Sequence, residues 1–155
     1  MNQHAARANM YAPLRVLIYS DNAGTRNKIK QALGRLPDTD MAPVDFVEAA
    51  THPAVMRLMA SGKIDLAILD GEASPAGGLG VAKQLKDELL QCLPIVVLAG
   101  RVQDAWLARW SKADAVVTHP IDPIELSSAV VPLLRSRLIA WRPAGPAANP
   151  LCGGF

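Results

Sequence analysis

The chain has 155 residues, 16 Lys and Arg against 14 Asp and Glu, and two cysteines, with half of its residues apolar. That length suits one domain of about 100–150 residues with short extensions and leaves no room for a second. A net charge of +2 without any Lys/Arg block argues against nucleic acid, two cysteines are too few for a disulfide framework or a zinc site, and no run approaches the ~20 apolar residues of a membrane span.

Charged residues make up 19% of the chain, below the roughly 25% of an ordinary soluble protein. The surface is therefore expected to be apolar enough to meet a partner. Met1 to Pro13 lacks the apolar core of a signal peptide, so a cytoplasmic protein is expected.

In chain order, five apolar runs alternate with segments of helical periodicity. The first run, Leu14–Tyr19, precedes Ile29, Ala32, Leu33 and Leu36, which mark one stripe of an amphipathic helix. Val44–Ala49 precedes Pro53 and the stripe Val55, Leu58, Met59. Leu66–Leu69 precedes Ala82, Leu85 and Leu89. Ile95–Ala99 is followed by Trp106 and Trp110, and Ala115–Thr118 by a helix opening on Asp122-Pro123-Ile124-Glu125. There Asp122 is a candidate cap, Pro123 suits the first turn, Glu125 can complete a capping box, and Pro132 interrupts the interior. Continuous Val/Ile/Leu runs are the mark of strands buried on both faces. Five strand–helix repeats predict an α/β domain with a doubly wound, five-stranded parallel sheet of the flavodoxin-like kind. Chemistry in such a fold collects beyond the carboxyl ends of the strands, which directs attention to Ser20-Asp21, Asp70, Ala99-Gly100 and His119-Pro120.

Four segments in this order, Leu17-Ile-Tyr-Ser-Asp-Asn22, Asp65-Leu-Ala-Ile-Leu-Asp70, Pro94-Ile-Val-Val-Leu-Ala-Gly100 and Ala113 to Leu126, resemble the response-regulator receiver (CheY-like) family, the phospho-acceptor domain of two-component signalling. The resemblance spans roughly Leu14 to Arg135 and is strongest to degenerate, single-domain actinobacterial members. It implies a receiver-like domain over 14–141, between an N-terminal extension (1–13) and a tail (142–155). It also implies that Asp70 stands at the phospho-acceptor position. Asp21 matches one of the two acidic residues that hold magnesium, with Asp70 and the chain at Glu72 as the remaining candidate ligands. Three matched positions depart from the family: Ser20 replaces an acidic residue, Ala99 a Ser/Thr hydroxyl and His119 a lysine, while Val116 stands where the switch aromatic usually lies. Any magnesium site is therefore expected to be weak, and the switch disabled. The family reading expects a non-catalytic pseudo-receiver that works by protein–protein contact, as a regulatory or accessory subunit. The proton-pumping NADH:quinone oxidoreductase is the assembly suggested by resemblance. The alternative is a working single-domain response regulator phosphorylated on Asp70.

Individual residues carry plainer expectations beside these. Asp21 can cap the first helix, and His119 reads as a solvated loop residue whose bond to Pro120 can be cis. Gly77-Gly78-Leu79-Gly80 reads as a flexible loop, and Cys92 as a buried thiol. Asp70-Gly71-Glu72 faintly echoes aspartate-nucleophile phosphatases, but nothing supplies their second aspartate. Trp106 and Trp110, four apart, share a helix face. The family register and residue size turn Leu107, Ala108 and Ser111 to the sheet, which implies that both tryptophans face outward on the fourth-helix/fifth-strand/fifth-helix surface that receivers use for partners, as partner-binding residues. The tail from Arg142 to Phe155 is rich in Pro, Gly and Ala; it is expected to run over a neighbouring subunit, with Leu151 and Phe155 as anchors.

Overall fold

A computed structural model describes residues 12–89, 93–101 and 105–140. Cys92, Leu151 and Phe155 lie outside the described residues. The five runs become strands β1 (Leu14–Tyr19), β2 (Val44–Ala49), β3 (Leu66–Asp70), β4 (Ile95–Ala99) and β5 (Ala115–Thr118). All four pairings are parallel and the strand order is β2-β1-β3-β4-β5, which is the doubly wound, flavodoxin-like arrangement. Between and after the strands lie α1 (Ala23–Leu33), α2 (His52–Ala60), α3 (Gly78–Glu88), α4 (Ala105–Ser111) and α5 (Pro123–Ala140).

The period of two along each strand divides the core into two layers. Val16, Ile18, Leu66, Ile68, Val96, Leu98 and Val117 face α1 and α5, whose Ile29, Leu33, Leu126, Val130 and Leu134 cover them. Their neighbours Leu17, Tyr19, Ala67, Leu69, Ile95 and Val97 face α2 and α3, where Val55, Met59, Val81, Ala82 and Leu85 close the other layer. β3 and β4 are buried throughout, which explains why the sequence shows apolar runs there and not alternation.

Local chemistry sets the helix limits. Asn22, not Asp21, caps α1: its Oδ1 accepts from the N–H groups of Gly24 and Thr25 at 2.8 and 3.3 Å. An amide oxygen one residue later reaches the free donors of the first turn, and Asp21 is left exposed at the cleft. Gly34 ends α1 at φ 65, a left-handed turn that glycine adopts without strain. That turn takes Leu36 off the helix and leaves it 63% exposed, so the expected stripe stops at Leu33. Thr51 caps α2 through a bond from the Ala54 N–H. Asp122 caps α5 by accepting from the Ile124 N–H at 3.1 Å.

The segment Gly77-Gly78-Leu79-Gly80 is ordered helix and not a flexible loop. Gly77 is the cap residue of α3, and Gly78 begins the helix. A Cβ on Gly78 would stand 2.7 Å from the carbonyl carbon and oxygen of Asp70. Glycine is there because the amino end of α3 is pressed against the end of β3.

Candidate functional site

Four strand ends meet in an open cleft of about 560 Å³ lined by Asp21, Asn22, Thr25, Asp70, Glu72, Gly100, Arg101 and His119. Asp70, the last residue of β3, is 3% exposed and forms the floor of the cleft. Its Oδ2 accepts from the Ser20 hydroxyl at 2.8 Å. Its Oδ1 accepts from the Glu72 N–H at 2.9 Å and lies 3.1 Å from His119 Nε2. Every one of these contacts comes from a different part of the fold: the end of β1, the turn after β3 and the end of β5.

Ser20 is wholly buried. Its hydroxyl also accepts from the Asn22 N–H at 3.1 Å, its own N–H bonds Ala49 at 3.2 Å, and its carbonyl accepts from Arg26 at 2.6 Å. Arg26 is in turn paired with Glu48 on β2. Together with Lys30, Arg26 holds the Glu48 carboxyl below the usual carboxylate range, chiefly by direct hydrogen bonds. Arg26 thus pins the chain at Ser20, a role that only its distance in space, and nothing in its place in the sequence, could have revealed.

His119 is not a solvated loop residue. Its backbone N–H bonds the Ala99 carbonyl at 2.9 Å, and its bond to Pro120 is cis as expected. The ring is carried over the cleft to Asp70, its side chain only 26% exposed. The loop had looked solvated because residues 70 and 119 are brought together solely by β3, β4 and β5 lying side by side. Ala99, the last residue of β4, is buried and carries no hydroxyl. Glu72 lies across Gly100, where a Cβ would fall 1.5 Å from Glu72 Oε1.

Asp21, Asp70 and Glu72 line one cleft but do not converge: among the described residues no three His, Cys, Asp or Glu side chains are placed to share an ion. Magnesium asks for a near-octahedral set of oxygens at about 2.0–2.1 Å. Both oxygens of Asp70 already accept hydrogen bonds, so an ion there would have to compete with those donors. Beneath the cleft, Tyr19 donates its phenol to the Ala76 carbonyl at 2.6 Å, fastening the turn after β3 to β1. Burial, and then the negative charges of Asp21 and Asp70, push that phenol above its usual value.

On another side of the molecule Trp106 is 67% and Trp110 49% exposed, while Ser111 is wholly buried. Both tryptophans are outward, as the family register implies. Trp110 leans toward α3, with Lys83 Nζ 6.0 Å from its ring centroid, so the aromatic surface extends over the α3 side of α4.

A parallel sheet in this order, with an aspartate at the end of β3 as the floor of the cleft, defines a receiver-type α/β domain. Comparison with known proteins agrees. The chain is 57% identical over 123 residues to a response regulatory protein of Mycobacterium tuberculosis, recorded in strains CDC 1551 and H37Rv, with 79% of this chain and 92% of that protein covered. It is 29% identical over 123 residues to the phosphate regulon transcriptional regulatory protein PhoB of Pseudomonas aeruginosa, covering 77% of this chain and 51% of PhoB. No protein-family model matches. Among solved structures, the receiver domain protein of Clostridium thermocellum superposes with a TM-score of 0.66 at 18% identity, covering 81% of this chain and 98% of its own. The CheY-like receiver of Methanospirillum hungatei gives 0.66 at 18% identity, with 83% and 98% covered. The chain belongs to the response-regulator receiver family.

Proposed function

We propose that this receiver domain acts as a non-catalytic interaction module, a regulatory or accessory subunit of a larger assembly, and does not act as a phosphorylation switch. The observation that carries this reading is the state of Asp70. Its oxygens are met by Ser20, the Glu72 N–H and His119, and Ala99 at the end of β4 has no hydroxyl to donate to a phosphoryl group. A switch needs contacts that distinguish its two states, and here few are left to do so. The exposed Trp106 and Trp110 supply the alternative output, a contact surface of the residue type most enriched at binding hot spots. The partner is read as protein, with neither nucleic acid nor bilayer insertion involved; among the described residues no helix is long and apolar enough to cross a membrane. The respiratory NADH:quinone oxidoreductase is the assembly in which to look first, by pull-down from native cells and mass spectrometry.

A second reading, a response regulator phosphorylated on Asp70, is favoured by the name of the mycobacterial relatives and by the open cleft above Asp70. One experiment separates the two. The full chain is incubated with a small phosphodonor and magnesium and its mass is measured. The interaction-module reading expects no stoichiometric phosphoryl adduct. An adduct abolished by Asp70→Asn and accompanied by shifts in the amide spectrum would establish the second reading.

A further inference from the structure

We propose that Ser20 and His119 close the acceptor site with the protein's own donors, forming a metal-independent cage around Asp70 from which magnesium is excluded. This rests on the reading that the switch is disabled, and it gives the two substituted residues a positive role.

A carboxylate offers about four lone-pair sites. On Asp70 three are engaged, by the Ser20 hydroxyl at 2.8 Å, the Glu72 N–H at 2.9 Å and His119 Nε2 at 3.1 Å. Each donor directs a hydrogen, and so a positive partial charge, at an Asp70 oxygen that a cation would need. The donors are anchored in turn. The Ser20 hydroxyl is held by the Asn22 N–H and its carbonyl by Arg26, and the backbone that carries the His119 ring is held through its N–H to the Ala99 carbonyl. Glu72 sends its carboxylate across Gly100, and Asp21 remains an exposed residue at the rim. An ion entering the cleft would have to break charge-assisted bonds, which are the stronger kind, and would meet a hydroxyl where an acidic ligand is needed. The cage further requires that neutral His119 carry its proton on Nε2, since the other tautomer would set a lone pair against a carboxylate oxygen.

Nuclear magnetic resonance on the 15N-labelled full chain tests both features. Where the His119 ring is neutral it should be the Nε2–H tautomer, with that preference lost in Asp70→Ala. Magnesium chloride, titrated into the millimolar range, should leave the amide signals of Ser20, Asp70 and Glu72 without a saturable shift. Ser20→Asp should gain one. The cage is overturned by an Nδ1–H tautomer at His119, or by saturable magnesium shifts in the wild type that Asp70→Ala removes. A folded Ser20→Asp that still ignores magnesium would overturn the part given to Ser20. If that variant does not fold, the tautomer and the wild-type titration decide. Magnesium binding without phosphoryl uptake would refute the cage and leave the interaction-module reading standing, whereas phosphoryl uptake would refute that reading itself.

Discussion

Replacing Ser20 by alanine removes a buried donor from the acceptor carboxylate. Ser20 is 0% and Asp70 3% exposed, and they are joined by a 2.8 Å bond. A hydrogen bond to a charged group contributes about 1.5–3 kcal/mol, and a buried acceptor left without its donor bears the full desolvation penalty. The Asn22 N–H loses its acceptor in the same step. Ser20→Ala should therefore cost about 2 kcal/mol, equivalent to roughly 4–8 °C in melting temperature for a domain of this size. Urea unfolding is the assay; the midpoint should fall with the slope unchanged. A double-mutant cycle assigns the loss to the pair, because in an Asp70→Ala background the same substitution should cost much less. A loss below about 0.5 kcal/mol, the range of an ordinary surface substitution, or a coupling near zero, would show that Ser20 does not support the acceptor.

The remaining predictions concern the output surface and the alkaline limb of stability. Trp106→Ala with Trp110→Ala should leave the melting temperature nearly unchanged, because both rings are largely exposed, while weakening capture of the partner by about 2 kcal/mol or more if they are hot spots; a collapse of the fold would place them in the core. Because the Tyr19 phenol is raised above 10.0 by burial and then by Asp21 and Asp70, its contribution is complete below pH 10.0 and is lost as pH rises through the folded value. Urea midpoints measured across that range should fall with pH in the wild type and less steeply in Tyr19→Phe; identical slopes would refute the buried-phenol argument.

Much of the framework follows from local physics that a sequence displays. Leu14–Tyr19, Val44–Ala49 and Ile95–Ala99 begin and end as strands where their apolar runs begin and end; for Ile95–Ala99, buried throughout, the reason is that a strand covered on both faces has no polar positions to blur its limits. The third run extends by one residue, Asp70; its carboxylate looked like a terminus, yet the backbone still pairs, with Asp70 opposite Leu98 on β4. Helical spacing put Trp106 and Trp110 on one face, and their exposure is what the family register and residue size implied.

Tertiary structure decided what the strand-end residues do to one another. From sequence, Ser20, Ala99 and His119 differ from the residues the family places there, and the differences look like losses. Folding brings positions 20, 70 and 119 within hydrogen-bond distance across the ends of β1, β3 and β5, so that Ser20 donates to Asp70 and the His119 ring nitrogen lies against its other oxygen. Capping by Asn22 in place of Asp21, the turn at Gly34 that frees Leu36, and the seat of Gly78 against Asp70 were undecided for the same reason. Each depends on an angle or a close approach of well under a nanometre. Composition and periodicity record which residues are buried; partners far apart in the chain are chosen only when the strands align.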